Sequence, residues 1–152
     1  MLSTGDQAPD FTLADQTGRQ VSLGELLTGG PIVLFFYPKA MTTGCTKESC
    51  HFRDMAAEFA DAGGQRVGIS ADKVDKQAEF DAKHDLGYPL LSDADRKVAA
   101  AFGVKRPGPI FNKRATFVIG TDRTVLAAIS SETNMDVHAD EALRVLRSAA
   151  AS

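Results

Sequence analysis

The sequence predicts an α/β fold, a mixed central sheet with helices on both faces, and three observations carry that prediction. The run Ile32–Tyr37 is apolar without a break, as suits a central strand covered on both sides. Short extended runs alternate with helical patterns through the first part of the chain. A strand pair then comes late, at Ala115–Ile119 and Val125–Ile129, joined by Gly120-Thr-Asp-Arg-Thr124. The 152 residues suit one domain with a sizeable core, and with no repeat or linker in view residues 1–152 are read as that domain.

Each element has a local reason. Phe11-Thr-Leu13 and Gln20-Val-Ser-Leu23 flank Thr17-Gly18 and read as a small N-terminal hairpin. Ser22 opens a short helix over 23–27, closed by Gly29-Gly30. After the Ile32 strand, an amphipathic pattern runs from Thr43 to Ala62 and stops at Gly63-Gly64. Arg66–Ser70 reads as a strand, Asp75–His84 as a surface helix with Phe80 inward, and Tyr88–Ser92 as a short extended run. Asp95–Phe102 is predicted helical up to Gly103, with Asp93 and Asp95 as turn and helix-start residues. Arg106–Ile110 reads as a rigid loop. From Val137 to Ala149 a helical stripe is traced by Ala139, Ala142, Leu143, Leu146 and Ala150.

Composition excludes some functions. A net charge of −3 gives no basic footprint for nucleic acid or an anionic membrane surface. No apolar run approaches the ~20 residues that span a bilayer. The first residues lack the pattern of a signal peptide. Two closely spaced cysteines make no secreted disulfide framework. A cytoplasmic protein with redox-active thiols is expected. Zinc held by Cys45, Cys50 and His51 is disfavoured by the spacing, and His51 reads as a helix-surface residue.

Both cysteines lie in the loop and first helical turns after the Ile32 strand. At a helix N-terminus, free backbone N–H groups and the dipole favour an anion, so Cys45 is placed to act as a thiolate nucleophile. Thr42 puts a hydroxyl within reach of whatever the sulfur attacks. With Cys45 at zero on a helical wheel, Phe52, Met55, Ala56 and Phe59 form the buried stripe, and Cys50 falls about 140° away on the polar face. Five residues of helix separate the two Cα atoms by about 8.7 Å, whereas a disulfide rarely tolerates more than about 7 Å. Bonding of the two therefore requires the first turns to unwind. Glu48 falls on the buried side and needs a partner, for which Arg114 is the best candidate.

Taken together, Pro38, Thr42 and Cys45 match the pattern Pro-x-x-x-Thr/Ser-x-x-Cys, and the chain here resembles a peroxiredoxin. The five-residue step to Cys50, Glu48 between, and Phe52-Arg53-Asp54 after resemble the peroxiredoxin Q, or bacterioferritin comigratory protein, subgroup. The resemblance extends to Gly5–Phe11, Val67–Ser70, Leu90–Asp93 and Arg114–Ile119. Thr43 stands where the subgroup usually has proline, and Lys105 where it often has an aromatic residue.

The resemblance implies a thioredoxin-like fold with an N-terminal hairpin extension. It implies a thiol-dependent peroxidase acting on hydrogen peroxide and organic hydroperoxides. Cys45 becomes a sulfenic acid, Cys50 resolves it to an intramolecular disulfide, and thioredoxin or a glutaredoxin-like protein restores the dithiol. Thr42 orients the peroxide, Arg114 stabilises the thiolate, Pro38 shields the sulfur and Glu48 holds the arginine. No metal or organic cofactor is implied. An internal resolving cysteine makes a monomer the expectation, with a dimer compatible. A disulfide-switched redox sensor or binding protein is the alternative; the enzyme is favoured because Thr42 and Arg114 accompany the thiol, which a pure switch would not need. A thioredoxin-like disulfide reductase is disfavoured by the five-residue spacing.

Overall fold

A computed structural model describes residues 1–108 and 111–150, the side chain of Ala150 excepted. Pro109 and Ile110, which end the loop predicted to be rigid, lie outside the described residues. The strands are β1 (Thr12–Ala14), β2 (Gln20–Ser22), β3 (Ile32–Phe36), β4 (Gln65–Ser70), β5 (Leu90–Ser92), β6 (Ala115–Ile119) and β7 (Val125–Ser130). The helices are α1 (Leu23–Leu27), α2 (Thr43–Asp54), α3 (Ala56–Asp61), α4 (Val74–His84), α5 (Lys97–Phe102) and α6 (Asp136–Ala150).

The strands form one sheet in the order β2-β1-β5-β4-β3-β6-β7. β3 lies inside it, parallel to β4 and antiparallel to β6. The N-terminal hairpin joins the same sheet, pairing antiparallel with β5 at Ala14 and Ser92. The alternation of β3 builds two cores, because successive side chains point to opposite faces. Ile32, Leu34 and Phe36 enter one, under Leu23 and Leu27 of α1 and Phe102 of α5. Val33, Phe35 and Tyr37 enter the other, with Cys45, Phe52, Phe59, Phe80 and the inner face of α6. Helices therefore cover both faces, and the cysteine-bearing helix packs on the second.

The single helix predicted over 43–62 is in fact two. It breaks at Met55, whose N–H reaches back to the Phe52 carbonyl instead of continuing the ladder. At the break the helix-end carbonyls are taken up from outside: Arg66 of β4 donates from Nη1 to the carbonyls of Phe52 at 2.9 Å and Arg53 at 3.5 Å. The break rotates the stripe, so Ala56 is exposed and Met55 half-buried, while Phe52 and Phe59 stay buried as expected. Gly64 closes the unit because a Cβ there would sit 2.3 Å from Leu146 of α6. α5 begins at Lys97, later than predicted, with Arg96 as N-cap, and Asp95 stands at the helix start as expected, accepting from the Lys97 N–H. Asp93 also accepts from Val98 and Ala99, but from a buried position.

Candidate active site

Cys45 stands in the first turn of α2, after Thr42 as N-cap, and is fully buried. Thr46 is the first residue of this helix whose N–H closes back, onto the Thr42 carbonyl at 2.9 Å. The amides of residues 43–45 precede that bond, and helix geometry leaves them as free donors around the sulfur. Thr43 begins the helix without the proline expected at that position. The loop before it carries Met41 in the left-handed region, with φ 69°. That loop is pinned by a buried polar chain. The Ala40 N–H donates to Asp72 at 2.7 Å, and Asp72 also accepts from Ser70 Oγ at 2.6 Å. Ser70 accepts from Gln77, which in turn accepts from the Tyr37 hydroxyl.

Arg114 arrives at the sulfur from the start of β6. Its Nη2 donates to Cys45 Sγ at 3.3 Å and its Nη1 to Glu48 Oε1 at 2.7 Å. The pairing of Glu48 and Arg114 inferred from burial is thus present, across 66 positions of sequence. Gly44 permits the approach, because a Cβ there would stand 3.3 Å from Arg114 Nη2. The Arg114 backbone is fixed too: its N–H donates to Glu132 Oε1, which also receives Arg106 Nη2 at 2.7 Å.

Glu48 has no exposed surface, and its second oxygen, Oε2, has no hydrogen-bond partner among the described residues. Burial pushes its pKa up to about 7, with Arg114 opposing the rise. Burial works against the charge of Arg114, but the charges of Glu48 and Cys45 outweigh it and raise its pKa. His138 Nδ1 of α6 stands 3.7 Å from Oε2. His138 Nε2 faces the Ser131 carbonyl at 2.8 Å and so carries the proton. Its Nδ1 then accepts from the Thr116 hydroxyl at 2.8 Å. Burial lowers the His138 pKa, so the ring is a neutral wall beside the carboxylate.

The other predicted residues are placed as follows. Thr42 is exposed, and its hydroxyl donates to the Lys39 carbonyl at 2.8 Å, which leaves its oxygen free to accept. Pro38 is half-buried at the head of the loop. Cys50 is free, like Cys45. It was expected on the polar face, but it is half-buried and packs against the second core. His51 is held to Asp140 of α6 at 2.8 Å, a surface pairing across helices. Lys105 is exposed. Among the described residues no group of three or more His, Cys, Asp or Glu is placed to hold a metal, and no helix is long and apolar enough to cross a membrane.

Sequence reasoning missed His138, Thr116, Asp72 and Glu132. Only His138 left a signal. It stands four residues before Ala142 and eight before Leu146, which puts a histidine on the apolar face of a helix.

A mixed sheet with a buried thiol at a helix start, and a guanidinium bonded to its sulfur, defines a thiol-reactive site on a thioredoxin-like frame. Comparison with known proteins agrees. Residues 4–128 match the AhpC/TSA family. A protein of Mycobacterium tuberculosis named as a peroxiredoxin is 60% identical over 149 residues, covering 96% of this chain and 97% of that one. The chloroplastic peroxiredoxin Q of Oryza sativa subsp. japonica is 39% identical over 150 residues, covering 97% of this chain and 68% of that protein. Among solved structures, peroxidoxin BcpB of M. tuberculosis superposes with a TM-score of 0.95 at 58% identity, covering 97% of this chain and 98% of that one. The bacterioferritin comigratory protein of Xanthomonas campestris, studied for its alkyl peroxide reduction activity, superposes at 0.85 with 31% identity and 92% of each chain. The chain belongs to the peroxiredoxin family, the thiol peroxidases, and its neighbours place it with the peroxiredoxin Q subgroup.

Proposed function

We propose that Cys45 is the peroxidatic residue and Cys50 the resolving residue of a peroxidase acting on hydrogen peroxide and organic hydroperoxides. The observation that carries the reading is the hydrogen bond from Arg114 Nη2 to Cys45 Sγ at 3.3 Å. It puts a fixed positive charge and a donor on a sulfur that is otherwise shut into the core.

The chemistry follows from the groups present. The Cys45 thiolate attacks the nearer oxygen of the peroxide, the S–O bond forms and the O–O bond breaks. The departing oxygen leaves as water or an alcohol after taking a proton. Thr42, its own proton spent on Lys39, accepts the peroxide's O–H and orients it. Arg114 and the free amides of the first turn stabilise the charge as it moves onto the leaving oxygen. Pro38 covers the approach, and Glu48 holds the guanidinium in register. The Cys50 thiolate then attacks the sulfenic sulfur, the S–S bond forms, and hydroxide leaves as water. The two cysteines are five residues apart in one helix, so this step needs α2 to unwind. A thioredoxin-type or glutaredoxin-like dithiol returns both sulfurs to thiols.

On this reading no step requires a metal or organic cofactor, and we infer a cytoplasmic enzyme that works as a monomer, with a dimer compatible. The test is sustained peroxide consumption coupled to thioredoxin, thioredoxin reductase and NADPH. Wild type should turn over repeatedly and Cys45→Ser not at all. A single round of oxidation without recycling would instead favour a disulfide-switched sensor.

A further inference from the structure

The resolving half of α2 is gripped from outside by two residues that take no part in the chemistry above. Tyr88, buried ahead of β5, donates its phenolic O–H to the Ser49 carbonyl at 2.7 Å. Ser49 directly precedes Cys50, and its carbonyl lies inside the span that must lose its helical shape. As an intrahelical carbonyl it also belongs to the helix's own ladder, so the phenol is an additional tie. Burial raises the Tyr88 pKa well above its usual value and keeps the phenol a donor. The Arg66 guanidinium lies over the Tyr88 ring at 5.0 Å and ties the Phe52 carbonyl. The same ring meets Phe35 edge-on at 5.7 Å, and Phe35 stacks on Phe52 at 4.2 Å. At the far end the helix is already broken at Met55, so α2 can open without carrying α3.

We propose that Tyr88, with Arg66 behind it, is the latch that sets how readily α2 opens, and so how fast Cys50 reaches the Cys45 sulfenic acid. The inference rests on the roles given to the two cysteines above. While the latch holds, the sulfenic sulfur stays open to a second peroxide. That peroxide transfers one oxygen, giving the sulfinic acid and releasing water or an alcohol. The strength of the tie therefore sets the balance between disulfide formation and over-oxidation.

Tyr88→Phe tests this cleanly, since it keeps the ring and leaves Ser49 its place in the ladder. Reduced protein is mixed rapidly with hydrogen peroxide, quenched, and read by mass spectrometry for sulfenic acid, disulfide and sulfinic acid. The expected result is an unchanged rate of sulfenic acid formation and a rise of about two- to tenfold in the rate of resolution, the range set by one net hydrogen bond. Sulfinic acid at a fixed peroxide dose should fall in proportion, and amide protection at residues 47–50 of the reduced protein should fall by the same factor. A general loss of packing would instead slow the first oxidation. Tyr88→Phe that folds and resolves at the wild-type rate overturns the latch. Should it not fold, Arg66→Met reads the same latch at Phe52, and an unchanged resolution rate there overturns the inference. Wild type that forms no Cys45–Cys50 bond overturns the underlying reading itself.

Discussion

Arg114→Lys separates the two tasks of the guanidinium. Its two terminal nitrogens serve Glu48 and Cys45 at once, at 2.7 and 3.3 Å. A lysine ammonium is a single point charge on a flexible stem and cannot reproduce that fork. Held by Glu48, it gives up the sulfur. A hydrogen bond to a charged group is worth about 1.5–3 kcal/mol, and each ~1.4 kcal/mol is tenfold in rate. Arg114→Lys should therefore slow the first oxidation by about ten- to a hundredfold while the fold survives. Arg114→Met goes further and leaves Glu48 buried without a cation, a loss of about 3–5 kcal/mol for a broken buried pair. Proton uptake by Glu48, whose pKa already stands at about 7, limits that loss. Adding Glu48→Gln to Arg114→Met should recover much of the stability and none of the rate. The assays are stopped-flow oxidation of the reduced protein and urea unfolding at one pH. Arg114→Lys oxidising within about twofold of wild type, or a double variant that regains its rate, would refute the role given to the guanidinium.

Four further outcomes are expected. Glu48 binds its proton more tightly folded than unfolded, so its contribution is full below pH 4.5, declines toward pH 7 and is absent above; relative to wild type, Glu48→Gln should gain up to about 3 kcal/mol across that window in urea titrations. His138 works the other way, its contribution being present above its ordinary pKa of 6.5 and lost as the pH falls, so His138→Gln should be less sensitive to acid in the same titrations. Gly44→Ala places a methyl 3.3 Å from Arg114 Nη2 and should slow the first oxidation with little change in resolution, read by rapid quench. Phe52→Ala removes the ring between Phe35 and Phe59 and should cost about 3–5 kcal/mol in denaturant unfolding.

Much of the site was legible because its logic is local. A thiol at a helix start needs only the loop and the first turn, and both could be read around Cys45. The Glu48–Arg114 pair was also legible, since a carboxylate on the buried side of a helix demands a cation. The unbroken Ile32–Tyr37 run announced the covered central strand, and β6 fell on its predicted bounds. What escaped depends on groups brought in from elsewhere. At the break at Met55 the freed carbonyl of Phe52 is met by Arg66 of β4, a partner that no residue of the helix itself announces. The anchor on Ala40 is a side chain 32 residues away. Cys50 was assigned to the polar face from a wheel that knows nothing of the neighbouring elements, and packing against the second core half-buries it.

The central claim is that Cys45 and Cys50 act on one peroxide as nucleophile and resolver. Rapid mixing of the reduced protein with one equivalent of hydrogen peroxide, quenched over time and digested for mass spectrometry, tests it most directly. The account predicts a transient sulfenic acid on Cys45 that converts to a Cys45–Cys50 disulfide, with loss of helical amide protection through α2. Oxidation that begins on Cys50, or a Cys45 sulfenic acid that persists with Cys50 still reduced, would contradict it.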